Sequence, residues 1–465
     1  MNAYRKPVAV LGLVAVAICC GPFCKGQILP PSGLNRGVNF GNMLEAPSEG
    51  AWGLTVQEVF FDKVVEGGFD HIRLPVSWTH HAANNPPYTI SPTFFQRIDW
   101  ALQQAEGRGL KVILNIHHYD QLNSNPVAEW SRAIALWQQI AFRYRNSGSF
   151  LYFEILNEPH GVFNDQPELW NQFMSDALQA IRIWNPTRPV LVGPVRWNSI
   201  HALLTTSFNP PTDNNLIVAV HNYEPFEFTH QGASWVNPIP PVGIPWTGNL
   251  RGITSPWQNW SWGTTVANTT KGISVQYNQG WAGLYAHSDI GIDQCQKLRF
   301  YTTAAMNLRM VIRNTQQVEQ AYLINTRFQR GDFEIALDPA FGRVVDIFVQ
   351  NNTPSAKPPF LLHKLEIENA SSTQSIVASE FEQIRNTMES AAAWAQARSL
   401  PLHCGEFGAY EQADMVSRAA WTRAVRTEAE RLGMGWAYWE LAAGFGVYNP
   451  DNSTWRQPLL DALMQ

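Results

Sequence analysis

Eight short apolar segments constrain this chain more than any other feature of it, at residues 34–42, 71–78, 111–118, 151–159, 188–196, 215–225, 401–410 and 434–441. Most are continuous apolar runs rather than alternating ones. A strand reads that way when both its faces are covered, as in a parallel sheet under helices. Segments of helical periodicity lie between several of them, at residues 92–108, 129–145, 168–184 and 415–432. Strand–helix alternation repeated eight times predicts an α/β fold, a closed (β/α)8 TIM barrel of about 250 residues.

The chain has 465 residues, so a barrel does not use all of it. The excess sits in one place. Residues 226–400 separate the sixth strand from the seventh, whereas a barrel repeat averages about 30 residues. Within this stretch the period changes. Ile273-Val275-Tyr277, Leu298-Phe300, Leu308-Met310-Ile312, Phe333-Ile335-Leu337, Val345-Ile347-Val349 and Leu361-His363-Leu365-Ile367 alternate at period two, with Gly, Asn, Asp and Pro between several of the runs. That pattern predicts a β-sandwich (jelly-roll) domain at residues 263–369, inserted between strands six and seven. Residues 27–262 and 370–465 then form the barrel, rejoined through a helix near residues 379–397. An insertion that follows a strand emerges on the C-terminal face, where barrel active sites are built.

At the N-terminus, Arg5 and Lys6 precede an apolar run from Val8 to Ile18. That is the order of a secretory signal, and the run is short for a membrane span. Removal of residues 1–26 is expected, leaving a secreted protein, extracellular or periplasmic. Three of the five cysteines lie in this leader, and Cys295 and Cys404 alone make no disulfide framework. The net charge of −5, with no long run of either sign, excludes an electrostatic footprint for nucleic acid or acidic lipid. A monomer with no nucleic-acid partner, and no membrane partner after signal cleavage, is expected.

Polar residues gather at the C-terminal ends of the predicted strands. Arg73 lies on strand two and His117-His118 on strand three. Asn157-Glu158-Pro159 ends strand four, His221 and Tyr223 lie on strand six, Glu406 on strand seven and Trp439 on strand eight. Packing does not explain apolar segments that all turn polar at one end of a barrel. Glu158 and Glu406 stand out. Two carboxyls across a scissile acetal can hydrolyse a glycoside: one protonates the leaving oxygen, and the other attacks the anomeric carbon or activates water. A separation of about 5–5.5 Å gives retention and about 6.5–9.5 Å inversion, a distance that residue order does not contain. Arg73 and Tyr223 are placed to keep the nucleophile ionised, while the acid needs a raised pKa. The scheme requires neither metal nor cofactor. His117 and His118, adjacent on a strand, would point to opposite faces and make a poor metal pair.

Aromatic residues make up 12% of the chain, including 19 Trp, and the flat C–H faces of pyranose rings pack on such side chains. Trp235, Trp246, Trp257, Trp260 and Trp262 crowd a Pro-rich loop before the insert. Trp235 and Trp246 are the candidate sugar platforms.

As a set, these residues resemble glycoside hydrolase family 5. The matching motifs are R-G-V-N-F-G-N from Arg36, H-I-R-L-P-V-S-W from His71, H-H-Y from His117 and F-E-I-L-N-E-P-H-G from Phe153. V-H-N-Y-E-P from Val220, G-E-F-G from Gly405 and W-A-Y-W-E from Trp436 follow in order. The resemblance implies a retaining mechanism with Glu158 as acid/base and Glu406 as nucleophile. It places Arg73, His118, Asn157, His221, Tyr223 and Trp439 around the attacked sugar, with His117 beside them and Asn157 on the sugar 2-hydroxyl. The stretch F-T-H-Q-G-A-S-W from Phe228 looks like endoglucanase-type members. The inserted segment resembles carbohydrate-binding-module β-sandwiches, notably at G-W-A-G-L-Y-A-H from Gly280. Many such modules hold calcium near their last strand; here that strand carries the basic pair His363-Lys364, which does not suit the ion. The expected function is secreted hydrolysis of β-linked glucan, foremost as an endo-β-1,4-glucanase (cellulase). A β-1,3-glucanase or β-mannanase would use the same chemistry. A non-catalytic polysaccharide-binding protein is a remote alternative, opposed by the intact Glu158 and Glu406.

Overall fold

A computed structural model describes residues 33–465 apart from 249, 254–255, 270–271, 327–330 and 371. The leader at residues 1–26, with its three cysteines, lies outside the described residues. Cys295 and Cys404 are both free and buried.

Eight parallel strands close into a barrel in chain order. They are Arg36–Asn39, His71–Leu74, Lys111–Asn115, Leu151–Glu154, Val190–Val192, Leu216–His221, Leu402–Glu406 and Gly435–Tyr438. Each lies inside one of the eight apolar segments. Long helices follow where the 3.6-residue period runs, including Pro92–Glu106, Pro126–Arg143, Pro167–Arg182 and Met415–Leu432.

Alternation along each strand decides what enters the barrel. On the third strand, Val112 and Leu114 join the layer beneath the helices. Ile113 belongs instead to an inner cluster with Tyr152, Leu191, Ile217 and Ala219. Asn115 shares the inward phase of Ile113. By the same count Arg73, Glu154 and His221 occupy inward positions at the upper end. Glu406 breaks the count. Leu402 and Cys404 face the helix layer, and strict alternation would send Glu406 with them. The register slips after Cys404: Cys404 pairs with Val220, yet Glu406 pairs with His221. This bulge turns Glu406 into the barrel. The fourth strand also ends sooner than its motif suggests, at Glu154. Asn157 and Glu158 stand on the turn beyond it, Glu158 at a left-handed φ of 49°. His117 and His118 likewise follow their strand rather than lying on it, with His118 at φ 53°.

Between strands six and seven lie two antiparallel sheets. The first is built on Thr264–Thr269, Gly272–Tyr277, Phe360–Asn369, Cys295–Thr302 and Gly331–Ala336, with Thr373–Ser379 and Leu250–Ile253 alongside. The second comprises Gln258–Asn259, Gly283–Ile292, Val344–Asn351, Asn307–Asn314 and Glu319–Asn325. They bury a separate core that includes Ile273, Val275, Tyr277, Leu298, Phe300, Leu308, Met310 and Ile347. The sheets therefore overrun residues 263–369 at both ends. The alternation read along Leu361-His363-Leu365-Ile367 changes phase midway. Tyr301 pairs with Lys364 and Thr302 with Leu362, so a bulge at His363 sends Leu362 inward, not Leu361. Chain entry and exit are tied together. The backbone N–H groups of Thr247 and Gly248 both donate to Glu380 Oε2, at 2.9 and 3.0 Å. Glu380 opens the helix Glu380–Gln396, which a Ser379–Glu382 capping box closes.

The barrel floor is unusually polar. His71 is fully buried, 3.2 Å from His403 through their Nε2 atoms, and its Nδ1 lies 2.6 Å from Asp70 Oδ1. Gly37 makes room for this ring, because a Cβ there would stand 2.2 Å from His71 Nε2. Gly37→Ala is expected to cost about 1–3 kcal/mol through overpacking. A lowered Tm in a thermal melt checks it, and an unchanged Tm would contradict the packing described.

Candidate active site

Arg73 organises the upper barrel. Its buried guanidinium pairs with Glu154 through Nε at 2.7 Å and Nη2 at 3.1 Å. Nη1 donates to Glu406 Oε1 at 2.6 Å and to Asn39 Oδ1 at 2.9 Å. Nη2 also donates to Asn157 Oδ1 at 2.7 Å. With its oxygen occupied, the Asn157 amide has only N–H groups to offer, and through one of them it also favours the ionised form of Glu158. Tyr223 donates its hydroxyl to the other oxygen of Glu406 at 2.9 Å.

His221 links the two carboxyls of interest. Its Nδ1 lies 2.8 Å from Glu158 Oε1 and 3.7 Å from Glu406 Oε2. One oxygen of Glu158 and one of Glu406 come within 4.8 Å of each other. Burial pushes Glu158 up to about 7, against the pull of Arg73 and His160. Burial raises Glu406 too, but His221, Arg73 and the Tyr223 hydroxyl oppose it. Burial drives His221 down to about 4, so its ring is neutral. Glu158, His221 and Glu406 are the one set among the described residues whose donor atoms converge as metal ligands do. Arg73, in contact with Glu406, already supplies the positive charge there, so a cation would face a repelling guanidinium.

The remaining sequence candidates separate. His117 is buried and stacks on Trp439, with centroids 5.8 Å apart and planes 13° apart. Asn115 holds it, Nδ2 to His117 Nδ1 at 3.1 Å. His118 stands exposed on the rim, edge-on to Trp52. Trp235 is 59% exposed and borders a cavity of about 790 Å³ shared with Glu158, His221 and Tyr223. Trp246 does not reach it. Only 6% of Trp246 is exposed, and it packs in the barrel core, so it is no sugar platform. Its loop is pinned where the Trp246 N–H donates to Ser417 Oγ. Trp257 is likewise buried, in the sandwich core.

Several site residues are absent from the sequence reading. Glu154 and Asn39 complete the Arg73 cage, and Glu154 could have been found by counting inward positions back from the motif. Trp197 and Asn198 come from the segment after strand five, which carries no motif. Trp197 lines the cavity and stacks on His160, with planes 10° apart. Glu45 and Glu440 form a second buried carboxyl pair around Asn42. Asn42 Nδ2 donates to Glu440 Oε2 at 2.6 Å, and the Asn42 and Met43 N–H groups donate to Glu45.

A profile of the cellulase family, glycosyl hydrolase family 5, matches residues 36–281, more than half of the chain. The protein belongs to the cellulase family. Endoglucanase H of Acetivibrio thermocellus is 38% identical over 198 residues, which is 43% of this chain and 22% of that protein. The chain thus corresponds to about a fifth of that relative's length. Among solved structures, Thermotoga maritima Cel5A in complex with cellobiose superposes with a TM-score of 0.63 at 30% identity, covering 93% of this chain and 98% of the other. The same protein with mannotriose gives a TM-score of 0.63 at 29% identity and the same coverage.

Burial raises Glu440 to about 8, well above its ordinary 4.5. A carboxyl raised on folding contributes stability that is complete below about 4.5 and is lost as pH climbs through about 8. Glu440→Gln removes that loss. The Tm of the variant relative to the parent should rise between about pH 5 and about pH 9; a difference flat with pH would contradict the burial argument.

Proposed function

We propose that this cellulase-family protein is a retaining hydrolase of β-linked glucan, with Glu406 as nucleophile and Glu158 as acid/base. The carrying observation is the pair of carboxyls within 4.8 Å in opposed environments. That closeness fits retention rather than the wider gap an inverting water needs. Glu406 is clamped by two donors, Arg73 and Tyr223, that favour its ionised form. Glu158 is raised to about 7 and holds a proton to give.

The first step forms a bond between a Glu406 oxygen and the anomeric carbon. The glycosidic C–O bond breaks, and the Glu158 proton passes to the departing oxygen. In the second step water attacks the anomeric carbon, its proton moves to Glu158, and the Glu406 carboxylate leaves. Asn157 offers its amide N–H to the sugar 2-hydroxyl. Trp439, backed by His117, supplies an aromatic face beneath the attacked ring, and Trp235 a second along the cleft. A β-1,4-glucan chain is the favoured substrate, by likeness to an endoglucanase and to a structure holding cellobiose. The mannotriose complex of that neighbour supports β-mannan as a second substrate. Export through the leader at residues 1–26 suits a polymer too large to enter a cell.

Glu406→Ala should abolish hydrolysis, and azide should then yield an α-glycosyl azide from the vacated face. Glu158→Ala should spare substrates with good leaving groups, such as dinitrophenyl cellobioside, which need little protonation. If both variants lose all substrates equally and neither responds to azide, the roles are misassigned.

The insert acts on polymer rather than on chemistry, as a carbohydrate-binding wall to the cleft. Its ends are held together by Thr247, Gly248 and Glu380, so replacing residues 250–378 by a short Gly/Ser loop that keeps the Ser379 cap is feasible. Aryl cellobioside turnover should persist while activity on polymeric glucan falls at least about tenfold, or ~1.4 kcal/mol of transition-state binding. Equal loss on both substrates would mark the insert as a prop for the barrel.

A further inference from the structure

We infer that Asn198 is a positioning residue that keeps the His221 proton on Nδ1, so that the Glu158 proton stays available to the leaving oxygen. The inference rests on the reading of Glu158 as the acid.

His221 presents its two nitrogens to opposite surroundings. Nδ1 faces the carboxyls of Glu158 and Glu406 at 2.8 and 3.7 Å. Nε2 faces Asn198 Nδ2 at 3.4 Å. In this orientation of the amide, whose Oδ1 is buried without a partner, the nitrogen donates and Nε2 presents its lone pair. A neutral imidazole has one proton, and it is then on Nδ1. That N–H finds an acceptor at every stage, because Glu158 keeps a carbonyl oxygen when protonated and Glu406 lies beside it. The other tautomer would set a lone pair against Glu158. It would accept the acid's hydrogen bond and draw the proton off the line to the glycosidic oxygen, while Nε2–H met the amide N–H head-on.

The position of Asn198 is built rather than incidental. The side chain is completely buried. Arg196, Trp197 and Asn198 follow one another at φ 56, 58 and 54°, a left-handed turn that Asn tolerates and Arg and Trp do not favour. Gly193 leaves room for the amide, since a Cβ there would stand 2.3 Å from Asn198 Oδ1. The next residue, Ser199, bridges to His221 through the backbone. The same device recurs across the barrel, where Asn115 Nδ2 faces His117 Nδ1.

Two measurements test this. Histidine-selective 15N spectra of the parent, with the His221 signal assigned by its loss in His221→Gln, should show the Nδ1–H tautomer; Nε2–H would overturn the inference without any appeal to activity. Asn198→Asp keeps the size and the tolerance for a left-handed turn but offers Nε2 an acceptor. It should lower kcat/KM for phenyl cellobioside at least about a hundredfold, yet for dinitrophenyl cellobioside by less than about fivefold, because only the first needs a proton from Glu158. Asn198→Ala, should the aspartate variant not fold, is expected to show the same ordering to a smaller degree. Equal losses on the two substrates would mean that Asn198 only supports the turn, and the inference falls. Glu158→Ala run alongside separates the two readings: a flat leaving-group dependence there would sink the acid assignment, while the 15N result judges Asn198 independently.

Discussion

One buried guanidinium carries the architecture of the site. A charge taken out of water costs several kcal/mol unless every donor is answered. Arg73 answers all of its own, through Glu154, Asn39, Glu406 and Asn157. Each partner is fixed in return. Glu154 neutralises the charge from the fourth strand, and Glu406 completes the cage from the seventh. Asn157 gives its oxygen to Arg73, so it meets its other neighbours, Glu158 among them, through its N–H groups. A change at Arg73 would therefore disturb four strand ends at once rather than one contact.

From that cage follows the inequality between the two carboxyls. Both are pushed up by burial. Glu406 alone has a guanidinium and a phenol in direct contact, so its ionised form is favoured relative to that of Glu158. Two like groups in different surroundings are how one site holds an acid and a nucleophile at the same pH. His221 stands between them as a neutral ring, and its usefulness depends on which nitrogen bears the proton. The same burial acts on Glu45 and Glu440, whose carboxyls rise to about 7 and about 8. Packing carboxyls this deep gives up stability as the solution becomes alkaline.

The sandwich and the barrel keep separate cores, one read at period two and the other through continuous strands and helices. They meet through the helix Ile200–Thr205, which packs beside the strand Gly283–Ile292. That helix begins just after the left-handed turn bearing Trp197 and Asn198. The insert thus contacts the barrel next to a segment that lines the cleft, a placement suited to the proposed role on polymer.

Residue order alone is enough for the closed barrel, the place of the insertion and the pairing of Glu158 with Glu406. Each rests on local signals: apolar runs of strand length, a change of hydrophobic period, and polar residues at a common end. It did not contain the features that depend on register. Glu406 faces inward only because the strand bulges after Cys404, and Leu362 rather than Leu361 enters the sandwich core because another bulge falls at His363. Trp246 and Trp235 read alike as loop tryptophans, and only packing buries the first and opens the second. Glu154 ends its strand inside the motif, but the polar run that marks the site lies on the turn beyond it. Asn198 carries no motif at all; its meaning arises from a left-handed turn that brings an amide to the far side of His221. Side-chain chemistry is written residue by residue, but which face a residue takes, and what it meets there, is settled only when strands far apart in the chain pair and slip against one another.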